Sequence, residues 1–199
     1  MDKNRKIFID GGVHFGESVT AFLENYKTYD PLTFEIYSFE AHPTLAKDTM
    51  DSFNKVINVQ PNLDLYLCEA ALSTHGNGQT FYIGDSHYGS TTRVDKTTGG
   101  IREDKNISVD TVDIDDFIIT KFNLDDYIIL KLDIEGGEYD VLPHMIRNGS
   151  IKYINELFIE WHSGKLSQCT QEEHDALVET LKTDYSLEGR HWSAKYCDI

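Results

Sequence analysis

Cysteine is sparse in this 199-residue chain, and the three present, Cys68, Cys169 and Cys197, are far apart and odd in number. That spacing argues against a disulfide frame or a zinc knuckle and points to free thiols in a reducing compartment. Long apolar runs are missing as well. None approaches the ~20 residues that a membrane span requires. The start, Met1-Asp2-Lys3-Asn4-Arg5-Lys6, has no apolar segment of the signal-peptide kind. The expected location is cytoplasmic. Positive charge is in short supply: 18 Lys and Arg stand against 34 Asp and Glu, a formal net charge of −16. Such a surface repels phosphate backbones and argues against a nucleic-acid partner. Internal repeats, linkers and low-complexity tracts are absent. What remains, 40% apolar and 12% aromatic residues, fits one globular domain over 1–199 with chain enough for a sizeable core.

The stretch that organises the chain is Ile7-Phe8-Ile9-Asp10-Gly11-Gly12-Val13-His14-Phe15-Gly16-Glu17. A short apolar run predicts a buried parallel strand. The glycines that follow permit positive φ and close approach of a ligand. Val19, Phe22 and Leu23 then have helical spacing. Strand, glycine turn and helix N-terminus together make a nucleotide-cofactor cradle. A dinucleotide site would carry Gly-x-Gly-x-x-Gly, but Asp10 stands at the first glycine and the pattern is Asp-x-Gly-x-x-x-Gly. A carboxylate there repels a pyrophosphate and attracts a cation. S-adenosylmethionine has a sulfonium and an ammonium and no phosphate, and the loop resembles motif I of the class I methyltransferases.

Further along, Phe34 to Phe39 predicts a second strand ending at Glu40, where a ribose diol would be held by paired hydrogen bonds. Pro43 suits the first position of a helix running to about Lys55. Leu63 to Cys68 predicts strand three, followed by Glu69 and Ala70, near where an adenine would lie. Gln79 to Ile83 is an extra strand. The polar, glycine-rich stretch from Gly84 to Asp104 is long enough to serve as a substrate lid. Asp113 caps a helix bearing Ile114, Phe117 and Ile118. Tyr127 to Leu132 is strand four and Leu157 to Ile159 strand five. Gln171 to Thr183 is an amphipathic helix, and the tail around Gly189 is expected to close the sheet as an antiparallel hairpin.

Strands alternating with helices imply a parallel sheet whose ligands sit at the carboxyl ends of the strands. Asp10, Glu40, Asp133, Glu135, Glu160 and His162 all fall there. Four segments together resemble the FkbM family of S-adenosylmethionine-dependent methyltransferases. They are Asp10 to Gly16, Phe39-Glu40-Ala41-His42-Pro43, the block Lys131-Leu132-Asp133-Ile134-Glu135-Gly136-Gly137-Glu138, and Glu160-Trp161-His162. The stretch Val109 to Phe117 is also similar, and His14 stands where the family usually has Asn. The resemblance implies an α/β, Rossmann-like class I methyltransferase fold: a mostly parallel seven-stranded sheet with a C-terminal antiparallel hairpin and helices on both faces. It also implies O-methylation of a sugar or glycan hydroxyl. The chain would be a minimal enzyme or one domain of a longer polypeptide, fused to or working with a glycosyltransferase.

The chemistry assigns roles. Cofactor contacts are expected from Asp10 to the donor's amino end and from amides of Gly12, Val13, His14 and Phe15 to its carboxylate. Gly16, Glu40, Ala41, Glu69, Ala70 and Asp133 complete the donor set. A sugar hydroxyl must lose its proton as it attacks, which needs a base or a metal. His162 is the candidate base. Asp133 and Glu160 would orient it, bind the hydroxyl, or hold Mg²⁺ or Mn²⁺ as oxygen ligands. Lys131 would neutralise the carboxylates. Candidate acceptor contacts are His87, Tyr88, Arg93, Glu135 and Trp161. The alternatives are an NAD(P)-dependent oxidoreductase on a similar sheet and a non-catalytic module that retains the fold. The Asn/Asp-Pro-Pro-aromatic motif of DNA amino-methyltransferases is absent.

Overall fold

The structure is a computed structural model, described here for residues 4–86 and 89–192. Its centre is a six-stranded, all-parallel sheet. The strands are β1 (Lys6–Gly11), β2 (Glu35–Phe39), β3 (Asp64–Cys68), β8 (Tyr127–Leu132), β9 (Ile154–Ile159) and β10 (Arg190–His191), in the order β10-β9-β8-β1-β2-β3. Two small sheets flank it. β4 (Ala71–Ser73) pairs in parallel with β7 (Thr111–Asp113), and β5 (Gln79–Tyr82) pairs antiparallel with β6 (Asn106–Val109). The helices are α1 (Glu17–Asn25), α2 (Pro43–Val59), α3 (Ile114–Lys121), α4 (Glu138–Asn148) and α5 (Gln171–Tyr185).

Alternation along β1 explains the layering. Ile7 and Ile9 face α3, α4 and α5, in a core with Ile128, Leu130, Ile118, Leu142 and Leu181. Phe8 faces the other way, packing with Phe22 and Phe53 of α1 and α2. The Phe8 and Phe22 rings stack at 4.2 Å, worth about 0.5–1.5 kcal/mol beyond area burial. A strand covered on both faces is apolar along its covered length, which is why Ile7 to Ile9 in β1 and Ile128 to Leu130 in β8 read as unbroken apolar runs, with the charged Asp10 and Lys131 following them at the carboxyl ends. Asp113 caps α3 by accepting from the amides of Asp115 and Asp116, and Thr170 with Glu173 forms a capping box on α5.

The first arm of the expected closing hairpin, Tyr185 to Gly189, does not form a strand. Tyr185 ends α5, Ser186 takes the left-handed conformation at its cap, and Arg190 and His191 add a strand parallel to β9. Of the hairpin's second arm, His191 to Tyr196, residues 193–196 lie outside the described residues, as does Cys197. Cys68 and Cys169 are free thiols. Among the described residues, no helix is long and apolar enough to cross a membrane.

Chain order reverses beside β1: the chain runs outward through β2 and β3 on one side and later through β8, β9 and β10 on the other. The crevice at that switch point, between the carboxyl ends of β1 and β8, is where an open parallel sheet binds its ligand.

Candidate active site

A cavity of about 980 Å³ opens at this switch point. Its first wall is the glycine turn. Gly12 has φ +78°, and a Cβ there would lie 1.9 Å from the carbonyl oxygen of Asp133. Only glycine lets β1 leave the sheet this close to the end of β8. Gly16, at φ +91°, starts α1. Gly12, Val13, His14, Phe15 and Gly16 all line the cavity, together with Glu40, Ala41, Ala70, Ala71, Leu72 and Phe81.

The turn's amides differ from expectation. Gly12 N and Val13 N donate to Phe39 O at 3.0 and 3.1 Å, and Gly16 N donates to Val13 O at 2.9 Å. His14 N donates to Glu40 Oε2 at 2.9 Å and Phe15 N to Glu17 Oε2 at 3.0 Å. A donor carboxylate would therefore have to share these amides with Glu17 and Glu40. Glu40 also accepts from His42 N at 2.8 Å. Burial pushes its carboxyl up, while these two amide bonds pull it down. Each of its oxygens keeps a lone pair free for a diol hydroxyl.

Asp10 does not reach the cavity. It is fully buried, bonded to Ser18 Oγ and 3.1 Å from Lys131 Nζ. Lys131 in turn donates to Gly12 O at 2.8 Å and lies 3.7 Å from Asp133. Burial works against the Lys131 charge, but Asp10 and Asp133 outweigh it and raise the pKa. Asp10 and Lys131 thus lock the turn from beneath. Glu69 is exposed and absent from the wall, whereas its neighbour Ala70 is buried and lines it.

The second wall carries the acids. Asp133, Glu135 and Glu160 line the cavity. His162 sits behind them, its side chain fully enclosed and its Nε2 3.8, 3.5 and 3.5 Å from carboxylate oxygens of Asp133, Glu135 and Glu160. Its Nδ1 lies 3.0 Å from Glu138 Oε1. Glu138 is itself fully buried and accepts from Ile134 N and Gly136 N, both at 2.9 Å. Burial works against an imidazolium here, yet Glu138 and Glu135 overcome it and raise the His162 pKa. An enclosed imidazole among acids is badly placed to take a proton directly from an acceptor. Of the group, the three carboxylates are the atoms that meet the cavity.

The loop expected as a lid is strapped to this wall. Thr91 Oγ1 donates to Glu135 O at 2.7 Å, and Lys96 Nζ lies 2.5 Å from Glu135 Oε2 and 2.7 Å from Gly89 O. Glu135 itself sits at φ +54°. Burial raises its carboxyl, but His162 and Lys96 win and hold it below the ordinary value. Gly89, Ser90 and Thr92 line the cavity from the loop. Arg93 faces elsewhere, paired with Asp95 at 2.7 Å and Asp140 at 2.8 Å. Trp161 packs on Tyr139 and His174 and is not part of the lining. His87 and Tyr88 lie outside the described residues. Thr20, Glu24, Asn25, His191 and Trp192 also line the cavity.

Sequence reading missed Lys96, Ser18, the Glu138–His162 contact and the aromatic edge supplied by Phe81 and Trp192. Lys96 sits in a polar loop and carries no local signal. The Glu138–His162 pair spans 24 positions and two elements, so no spacing rule reaches it.

Two comparisons bear on this architecture. The family model for the methyltransferase FkbM domain matches residues 10–187. A solved structure, the methyltransferase FkbM from Methylobacillus flagellatus KT, shares the fold with a TM-score of 0.52 and 14% sequence identity. The match covers 89% of this chain and 37% of that one, so this chain spans little more than a third of that protein's length. No curated protein matches the sequence.

Proposed function

The chain belongs to the FkbM methyltransferase family, and from that premise we propose that it is an S-adenosylmethionine-dependent O-methyltransferase acting on a sugar or glycan hydroxyl. One observation carries the reading: a single cavity of about 980 Å³ joins the glycine turn and Glu40 to Asp133, Glu135 and Glu160. The volume suits a nucleoside-sized donor with an acceptor beside it. The Gly12 approach and the small Ala41, Ala70 and Ala71 suit a flat ring and a ribose, with Glu40 taking the diol. The acidic lining suits a cationic donor.

A bound donor would supply an electrophilic methyl carbon to which the acceptor oxygen would bond as the carbon–sulfur bond broke, leaving a neutral thioether and one proton for the protein to remove from the oxygen. The protein's work is alignment and removal of that proton. Asp133 and Glu160 reach the cavity and take the proton, or present oxygens to a hard cation such as Mg²⁺ or Mn²⁺. His162 acts through them, since it does not touch the cavity. Polar Thr20, Asn25 and His191 on the cavity wall fit the hydroxyls of a sugar. A glycosyltransferase, on a longer polypeptide or as a separate protein, would supply the glycosylated acceptor.

The test is calorimetry with S-adenosylhomocysteine and NADH, followed by incubation with S-adenosylmethionine and a panel of deoxysugar glycosides. Heat with the first ligand only, and a product heavier by one methyl group, are expected. Heat with NADH and none with S-adenosylhomocysteine would overturn the reading in favour of an oxidoreductase. Donor binding with no methylated product from any hydroxyl acceptor would leave a module that keeps the fold without the reaction.

A further inference from the structure

A buried nitrogen without a hydrogen-bond partner is expensive. His162 Nε2 is one: its side chain is fully enclosed, and among the described residues no hydrogen-bond partner reaches that atom. Three carboxylate oxygens stand 3.5–3.8 Å from it, too far to bond it directly. Ligand atoms of Asp133, Glu135 and His162 all lie within 4.8 Å of one another. That separation suits groups sharing a metal ion at about 2.0–2.2 Å from each.

The other ring nitrogen shows how the imidazole is aimed. Nδ1 is held by Glu138, whose two oxygens are themselves fixed by the amides of Ile134 and Gly136. A carboxylate gripping one nitrogen so that the other presents its lone pair is how metal-binding histidines are oriented. Charge agrees. Lys131 offsets Asp10 first. The carboxylates of Asp133, Glu135, Glu138 and Glu160 are then faced by Lys96 and Lys165, 2.5 and 3.6 Å from Glu135. Two negative charges are left around Nε2.

We propose that Asp133, Glu135 and His162 bind a divalent transition-metal ion of the Mn²⁺ class, with Glu160 beside it and Glu138 as the positioning residue. One imidazole among carboxylates favours Mn²⁺ over Mg²⁺, which prefers oxygen throughout. Its use in catalysis rests on the methyltransferase reading: a bound cation acidifies a coordinated hydroxyl. Its binding does not rest on that reading.

A second cluster supplies the control. Asp113, Asp115 and His144 are similarly close, but there Nε2 of His144 already has carboxylate partners at 2.8 and 3.2 Å, and Asp113 is spent on capping α3.

The test uses the whole chain after dialysis against EDTA. Mn²⁺ is titrated and followed by loss of its free electron-paramagnetic-resonance signal, with calorimetry for Mg²⁺ and S-adenosylhomocysteine on the same preparation. One Mn²⁺ per chain is expected, bound more tightly than Mg²⁺. Glu135→Gln and Asp133→Asn should each weaken it at least tenfold, Glu138→Gln by roughly 10- to 100-fold, and Asp115→Asn not at all. Melting temperatures would check that the variants fold, and His162→Ala is avoided because it empties a buried site. Absence of stoichiometric Mn²⁺ binding would overturn the metal site. So would binding that survives Glu135→Gln, or binding that is lost in Asp115→Asn. A chain that binds S-adenosylhomocysteine but fails to bind Mn²⁺ would sink the metal site and leave the donor reading standing. Mn²⁺ binding without S-adenosylhomocysteine would do the reverse.

Discussion

The two ends of the parallel sheet carry charged groups in different states of completion. At the amino end, Arg5 forks onto Glu35 at 2.5 and 2.6 Å and donates to Lys121 O at 2.8 Å. Asp126 accepts from Arg5 N and Asn123 N, and Tyr37 adds its hydroxyl to Glu35. Each of these groups is answered by a protein partner. At the carboxyl end, His162 Nε2 has no hydrogen-bond partner among the described residues, and Asp133, Glu135 and Glu160 face a cavity. The first end ties β1, β2 and β8 together. The second pairs Glu135 with Lys96 and Asp10 with Lys131 but leaves carboxylates of Asp133, Glu135 and Glu160 on a cavity wall. Closed ion pairs serve stability and unclosed ones serve binding, often at some expense to stability.

The largest effect should come at the carboxyl end, from Gly12→Ala. The new methyl group collides with the Asp133 carbonyl at a positive φ, so S-adenosylhomocysteine binding should vanish in calorimetry and stability should fall by ~3 kcal/mol or more. Glu160→Gln comes next. Turnover should drop by roughly 10²-fold or more with donor affinity unchanged, and equal turnover would remove Glu160 from the chemistry. Glu40→Ala should weaken donor binding by about 10- to 100-fold, the scale of a charged hydrogen-bonding group. Unaltered affinity would take Glu40 out of the site.

The amino end should respond differently. Arg5→Ala removes a half-exposed pair, so denaturant titration should show a loss of about 1 kcal/mol or less, with turnover per folded molecule intact. The pH response has a definite sign. The Arg5 guanidinium holds the Glu35 carboxyl below its ordinary value of 4.5. Its stabilisation is therefore complete above that value and is lost as pH falls through the lowered folded-state pKa. Glu35→Gln should flatten that part of the acid limb. A change in turnover from either variant would blur the division between the two ends.

Much of the fold could be read from the chain because its signals are local. The runs Ile7 to Ile9 and Ile128 to Leu130 are apolar where a doubly covered strand must be, and Asp113 and Pro43 mark the helix starts that form. The tail could not be read this way. Gly189 suggested a turn into a hairpin, but the parallel addition of β10 to β9 depends on where α5 delivers the chain. The site was legible as a set of strand ends: Gly12, Glu40, Asp133, Glu135 and Glu160 do meet in one cavity. Arg93 and Trp161 were drawn away by Asp140, Tyr139 and His174, partners far off in sequence.

By itself, then, the sequence determined the strand–turn–helix order, the place where glycine is obligatory, and the edge of the sheet on which the acids gather. These follow from backbone geometry and side-chain alternation over a few residues. Only the tertiary structure decided that Asp10 turns inward to Lys131, that the turn's amides are already engaged, and that His162 is aimed by Glu138 rather than open to the cavity. Those outcomes rest on contacts such as Lys131 to Gly12 O, 119 positions apart, and Thr91 to Glu135 O, 44 apart. A buried polar group takes whichever partner packing brings within about 3 Å, and that is a property of the assembled layers.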